Sequence, residues 1–406
     1  MNLEDQPKEA EFRQSVRSWL EGQLPLRKDS PVADLSEAQR LDRARTFQRA
    51  KAENRFSALT WPRAFGGYGG TEIEQLIYNQ EEAKFASDSL HFFGIGIFLC
   101  VGTVMHRGSD EQRERFIAAA LRGDEVWCQL FSEPACGSDL AAVRTSAVRD
   151  GDDWVLNGQK VWTTGAHYSD FGLILCRTDP SVPKHAGLTM FIVDMKAPGV
   201  EVRPIRQISG ESDFNEVFLN DVRIGDGYRV GAPGTGWAVA MTTLGLERGA
   251  AGTDLEFVDS RLLVEIAKRT RIGATPAIED GRVRESLAQC WLNNFGARLI
   301  AYRGQTALTR GAVPGAEQAV LKPIIANQGQ RSAYLAMDMM GIEGVLDRST
   351  LGHEWQDIER GWYWGAAYRI AGGTDEILRN IISERVLGLP ADIRVDKDIP
   401  FNAASA

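Results

Sequence analysis

Four short stretches place reactive or ligand-holding residue types where something could approach them. The stretch 370-IAGGTDEILRN-380 sets two glycines and a threonine before a helical run. Such a turn offers backbone N–H groups and a hydroxyl at a helix N-terminus, an arrangement suited to phosphate. Ahead of Thr374 it carries no side chain able to move a proton. The stretch 241-MTTLGLERGAAGTDLEF-257 supplies one, Glu247, with Thr243, Ala250 and Ala251 at the neighbouring helical positions. A carboxylate among small residues leaves room for a ligand, and burial would raise its pKa toward the general-base range. The plainer reading is a structural glutamate paired with a nearby arginine.

Two further stretches read as strand ends. In 127-WCQLFSEPACGSDL-140 a small-residue loop presents Ser132, Gly137 and Ser138, whose N–H groups and hydroxyls suit an anion or a carbonyl-rich ring. The alternative is a polar inter-strand turn. In 157-NGQKVWTTGAHYSDF-171 an aromatic face, Trp162, stands beside two threonines, which suits a flat heterocycle. Standing alone, it is also an ordinary strand end. The five histidines show no metal-ligand spacing. GxSxG and HExxH are absent, and no GxGxxG follows a strand into a helix, so a Rossmann nucleotide site is unsupported.

The elements that must carry these groups change character twice. Residues 1–125 are helical in pattern: EAEFRQSVRSWLEGQL and EEAKFASDSLHFFGIGIFLCVGTVMHRG place apolar residues at helical spacing. WPRAFGGYGG interrupts them as a turn. EQRERFIAAALRGDE reads as a short helix ending near Gly123. Residues 126–235 switch to seven short runs rich in β-branched and aromatic residues, from VWCQLFSE to FNEVFLNDVRI, the pattern of a β-sandwich or barrel. Residues 236–392 return to helices, expected at 237–270, 280–311, 315–341 and 374–387. Residues 393–406 form a polar, extended tail. The fold class is therefore α+β, with helical domains flanking a β domain.

Bulk properties narrow the function. The 406 residues are 43% hydrophobic and 25% charged, and their length favours more than one domain. A net charge of −9 argues against nucleic acid as the main partner. No apolar run reads as membrane-spanning, and the polar N-terminus does not resemble a signal peptide. Five dispersed cysteines without a CxxC pair read as buried free thiols in a reducing compartment, which points to the cytoplasm.

Taken in order, SEPACGSD, KVWTTGA, FNEVFLNDV, GTGWAVAMTTLGLERG and AGGTDEILRNIISERVLGLP resemble the acyl-CoA dehydrogenase family over nearly the whole chain. The resemblance implies an FAD enzyme that oxidises an acyl-CoA to the trans-2-enoyl-CoA and passes electrons to an electron-transferring flavoprotein. It also implies a tetramer, homomeric or heteromeric. It places Leu130, Phe131, Ser132, Trp162 and Thr164 along the flavin, and Arg269, Thr374 and Glu376 at the FAD diphosphate and adenosine. Ser138 falls where the family contacts CoA.

One departure decides the reading of the site. Many members carry Tyr-Glu-Gly-Thr where this chain has Ala371-Gly372-Gly373-Thr374, and that glutamate is their base. The Gly372 N–H, which the family uses to polarise the thioester carbonyl, survives the change. Other members place the base in an L-x-x-E-R motif, here 244-LGLER-248, which puts the base on Glu247 with Arg248 beside it. The space vacated at Ala371 and Gly372 favours a branched or bulky acyl group, such as a steroid side chain. A non-catalytic partner subunit and a flavin oxidase or hydroxylase on the same fold are the competing readings.

Overall fold

The computed structural model describes residues 5–27, 35–250, 260–310, 312, 315–346 and 356–403. It divides into two compact units, residues 1–252 with 393–406, and residues 253–392.

The first unit begins with helices α1 (Pro7–Gln23), α2 (Glu37–Glu53), α3 (Glu72–Glu82), α4 (Ser89–Arg107) and α5 (Asp110–Leu121). Their starts are written in the sequence. Ser36 with Gln39, Thr71 with Glu74 and Ser109 with Gln112 form reciprocal capping boxes, each satisfying two backbone N–H groups that the first turn leaves unpaired. Pro7 opens α1, where its missing N–H costs nothing. Gly123, at φ +72°, ends the α5 region as the sequence suggests.

Helix α4 corrects one expectation. Its 19 residues contain an 18-residue window with a mean hydropathy of 1.6, long and apolar enough to cross a membrane by length and composition. The glycines in GIGIF and the flanking charges masked this in the sequence. In the structure Phe92, Phe93, Ile97, Cys100, Val101 and Val104 are buried in the core that α4 shares with α5 and β1, so it is the central helix of this unit. Its middle, Ile95–Val101, is widened into a π-helical stretch.

The seven expected strands all form: β1 (Trp127–Leu130), β2 (Ser146–Asp150), β3 (Asp153–Thr164), β4 (Phe171–Arg177), β5 (Leu188–Asp194), β6 (Val200–Ile205) and β7 (Phe214–Gly225), joined by a two-residue β8 (Arg229–Val230). They pair in the order β6-β7-β3-β2-β4-β5-β8, with β1 parallel to β4. A single bridge, Ser146 to Arg177, joins β2 to β4, so the sheet folds at that point. Its inner faces meet in one core where Trp154 and Phe191 lie 5.3 Å apart. The other face of β4 and β5 packs on the helices through Leu173, Leu175, Met190 and Ile192.

Helix α6 (Gly236–Ala250) closes the unit. A side chain at Gly236 would come within 2.5 Å of the Thr189 backbone, so only glycine lets this helix start against β5. Buried Val239, Ala240 and Thr243 then fix its inner face, and the Thr243 hydroxyl lies 2.8 Å from that of Thr103 on α4.

The second unit contains α7 (Ser260–Arg269), α8 (Gly281–Thr309), α9 (Leu321–Met340), α10 (Gln356–Tyr368) and α11 (Asp375–Ile381). Its core gathers Leu263, Ile266, Cys290, Ala333, Ala336, Met339 and Ile358. Two boundaries differ from the sequence reading. The helix expected from 315 begins as a 3-10 turn over Ala316–Val320, and Ile382–Val386 widens into a π-helical turn. Helix α10 was not anticipated. Its aromatic, glycine-containing sequence has weak helix propensity, and packing on α9 stabilises it, with Tyr334 and Trp362 4.1 Å apart.

Candidate active site

In the first unit, the two strand-end motifs meet. The Val161 N–H donates to the Ser132 carbonyl at 2.9 Å, which joins the end of β1 to the bulged end of β3. Beneath that contact Lys160, with no exposed surface, donates to the Phe131 carbonyl (3.0 Å), the Leu175 carbonyl (2.7 Å) and Glu133 Oε1 (2.8 Å). Glu133 in turn accepts from the N–H groups of Arg144 (2.7 Å) and Thr145 (3.0 Å). Burial alone would push the Glu133 carboxyl up. The Lys160 charge and these hydrogen bonds outweigh it and hold the pKa below its ordinary value. The sequence reading passed over this pair. Its signal was a lysine inside an alternating strand, at a position that the pattern assigns to the interior.

Trp162 sits between the paired residues Lys160 and Thr163, where the β3–β7 register slips. Its backbone is left-handed, at φ +60°, which is unusual for a bulky residue. The bulge turns the indole outward, 59% exposed, with Phe214 edge-on at 6.0 Å. Asn215, fully buried, braces the same bend by donating to the Thr163 carbonyl at 3.0 Å. That gives FNEVFLNDV a role that its sequence alone did not suggest. Ser132 and Thr164 are half-buried, and no hydrogen bond among the described residues engages either hydroxyl. Leu130 and Phe131 bury their side chains in the two cores and leave only backbone for a ligand. An exposed aromatic face on a strained bend, beside two open hydroxyls, fits a flat heteroaromatic ring such as a flavin. Ser138 is exposed on the 133–140 loop.

Helix α6 carries the backbone of Glu247 and Arg248 in its last turn. Their side chains lie outside the described residues.

In the second unit, Gly372 and Gly373 are both left-handed, at φ +63° and +91°. Thr374 caps α11, its hydroxyl oxygen accepting from the Ile377 N–H at 3.2 Å. Buried Asp375 anchors the turn, taking hydrogen bonds from Arg369 (2.8 Å) and Asn327 (3.0 Å), while Lys322 donates to the Gly373 carbonyl. Ala371, Gly372 and Glu376 are exposed, and no hydrogen bond among the described residues engages the Gly372 N–H. Arg269 is the exposed last residue of α7. A cleft of about 450 Å³ between α8 and α9 carries Arg331 beside Leu292, Ile300 and Ile324. None of the candidate residues lines it, and the chemistry is to be sought at the two clusters above. The first unit thus holds Leu130, Phe131, Ser132, Ser138, Trp162, Thr164 and Glu247, and the second holds Arg269, Ala371, Gly372, Thr374 and Glu376.

Comparison with known proteins assigns the class. The acyl-CoA dehydrogenase N-terminal, middle and C-terminal domains match residues 6–124, 128–222 and 234–387. The chain belongs to the acyl-CoA dehydrogenase family and is an FAD-dependent oxidoreductase. It is 38% identical over 397 residues to the acyl-CoA dehydrogenase IpdE1 of Mycobacterium tuberculosis, covering 95% of this chain and 98% of that protein. Among solved structures, the ChsE4-ChsE5 complex from Mycobacterium tuberculosis is similar, with a TM-score of 0.81, 29% identity and coverage of 97% of this chain and 100% of the other. So is the steroid acyl-CoA dehydrogenase Tcur3481-Tcur3483, with a TM-score of 0.80, 26% identity and coverage of 97% and 100%.

Proposed function

We propose that this enzyme removes the α and β hydrogens of a bulky acyl-CoA, of the steroid side-chain class, to give the trans-2-enoyl-CoA, with Glu247 as the base. The observation that carries the reading is the exchange of chemistry between two positions. The 371–374 turn has no carboxylate and is built on consecutive left-handed glycines, while a glutamate stands in the last turn of α6. Similarity to a steroid acyl-CoA dehydrogenase supports the choice of substrate class.

The chain's own groups divide the work. The Gly372 N–H donates to the thioester carbonyl and so raises the acidity of the α-carbon. Glu247 takes the α-proton, and the electron pair of that C–H bond becomes the new Cα–Cβ double bond. Bound FAD supplies the acceptor for the β-hydride. Trp162, Ser132 and Thr164 hold and orient the ring, with backbone contributed by Leu130 and Phe131. Thr374, Arg269 and Glu376 are assigned to the rest of the cofactor, and Ser138 to CoA. Arg248 and Ala371 border the substrate. Electrons then leave to an electron-transferring flavoprotein. The assembly is a tetramer, homomeric or heteromeric, and the similarity to the ChsE4-ChsE5 complex supports a second kind of chain in it.

The test is anaerobic bleaching of bound FAD by acyl-CoAs graded from butyryl to steroid side-chain thioesters. The bulkiest thioesters should bleach fastest. Glu247→Gln should slow bleaching by about 10²–10⁴-fold while FAD stays bound. A wild-type rate in Glu247→Gln removes the base assignment. A homogeneous, colourless chain that restores colour and activity to a second subunit favours the partner-subunit reading instead.

A further inference from the structure

The tail beyond residue 392 belongs to the first unit. It lies against the loop between β4 and β5. The Phe401 N–H donates to the Val182 carbonyl and the Asn402 N–H to the Pro180 carbonyl, each at 2.9 Å, and Pro400 pairs with Pro183. The Phe401 ring covers the guanidinium of Arg177 at 3.8 Å.

Arg177 explains why a ring is wanted there. It is 4% exposed, and burial holds its pKa down to about 10. Its Nη atoms donate to the carbonyls of Lys184 (2.6 Å) and Ala141 (2.5 Å), and its Nε has no partner among the described residues. An aromatic face over a cation short of partners stabilises it by cation–π attraction.

The same loop carries Lys184, whose ammonium bridges two carboxylates, Asp139 at 2.8 Å and Asp396 at 2.6 Å. Asp139 follows Ser138 directly. The 133–140 loop is thus tied at one end by Glu133 and Lys160, and at the other by Lys184. The tail reaches it through that second tie.

We propose that the C-terminal tail is a strap that positions the Ser138 loop to receive the CoA portion of the substrate, with Lys184 as the positioning residue between them. This rests on the assignment of Ser138 to CoA made above. The Lys184 ammonium is engaged by Asp139 and Asp396 and is none of the groups assigned above to the cofactor or to proton transfer, so its loss should appear in binding and not in the chemical step.

The test compares the FAD-loaded wild type with a chain ending at residue 392 and with Lys184→Met, Lys184→Arg and Phe401→Ala. In the shortened chain, Lys184→Met and Phe401→Ala, deuterium exchange at residues 133–142 should quicken. In the same variants KM for the best thioester should rise about fivefold, with kcat held within about twofold, the size expected for partly exposed ion pairs. Lys184→Arg should restore most of the KM, because it keeps the charge that spans Asp139 and Asp396. Unchanged exchange at 133–142 in both the shortened chain and Lys184→Met overturns the strap. Faster exchange with unchanged KM overturns its role in substrate binding. If the shortened chain does not fold, the point variants decide. Calorimetry with coenzyme A itself separates the two readings. A wild type that does not bind CoA defeats the assignment of Ser138, and the exchange data still judge the strap.

Discussion

Lys160 has no exposed surface, and its three ammonium protons meet three acceptors: two carbonyls and the Glu133 carboxylate. A buried charge is tolerated only when matched in this way. The match has a positional result, because the carbonyl of Phe131 and the carboxylate of Glu133 flank Ser132. Lys160→Met would leave Glu133 buried and unpaired, at a cost of about 3–5 kcal/mol in urea unfolding. The double variant Lys160→Met/Glu133→Gln should recover part of that loss, since the unpaired charge goes with its partner. A double variant no more stable than the single one would show that the pair's geometry, and not its charge, sets the cost. At this scale the sequence was legible where residue type and place agreed, as with Thr374 ahead of a helical run, whose hydroxyl caps α11. It was silent on Lys160 and Asn215, because Glu133 and Thr163, which they hold, lie 27 and 52 residues away.

The helices show how a local pattern becomes a fixed contact between elements. Glu81 on α3 is fully buried and takes Arg13 (3.0 Å) and Arg17 (3.0 Å) from α1, with Lys84 at 2.8 Å. Burial would push its pKa up, but the hydrogen bonds from Arg17, Lys84 and Arg13 hold it down at about 2, against an ordinary 4.5. A lowered folded-state pKa contributes stability that is complete above the unfolded value and is lost as pH falls through the folded one. The contribution, roughly 3 kcal/mol, should therefore be intact above pH 4.5 and gone near pH 2. The melting temperatures of wild type and Glu81→Gln should differ most at neutral pH and converge as the pH is lowered from 4.5 to 2. A gap independent of pH would assign the effect to packing. Elements with a strong period or a cap, such as α1, α5 and β1–β7, were legible in sequence. Helix α10 and the two-residue β8 were not, because each exists by packing on a neighbour.

At the scale of the whole chain, the α–β–α order was readable, since the hydrophobic period changes from helical to alternating and back. The grouping of those blocks was not. Helix α6, read in sequence with the C-terminal helices, and the tail from residue 393, read as a polar, extended segment after them, both belong to the first unit. The reason is packing at single positions, Gly236 against β5 and Phe401 on Arg177, which no periodicity reports. The five cysteines measure the consequence. All are free and buried, and burial pushes the thiols of Cys128 and Cys176 up to about 12 and that of Cys100 well above its ordinary value. The thiolate is the reactive form, so alkylation in the native state must wait for opening of the surrounding core. Cys100, Cys128 and Cys176 lie in the first unit and Cys290 in the second. Each unit has its own core, so each should open with its own free energy. In sub-denaturing urea, mass-resolved alkylation should give one rate shared by Cys100, Cys128 and Cys176, and a different rate with a different urea dependence for Cys290. One common rate for all four would mean that the two units unfold as a single cooperative body.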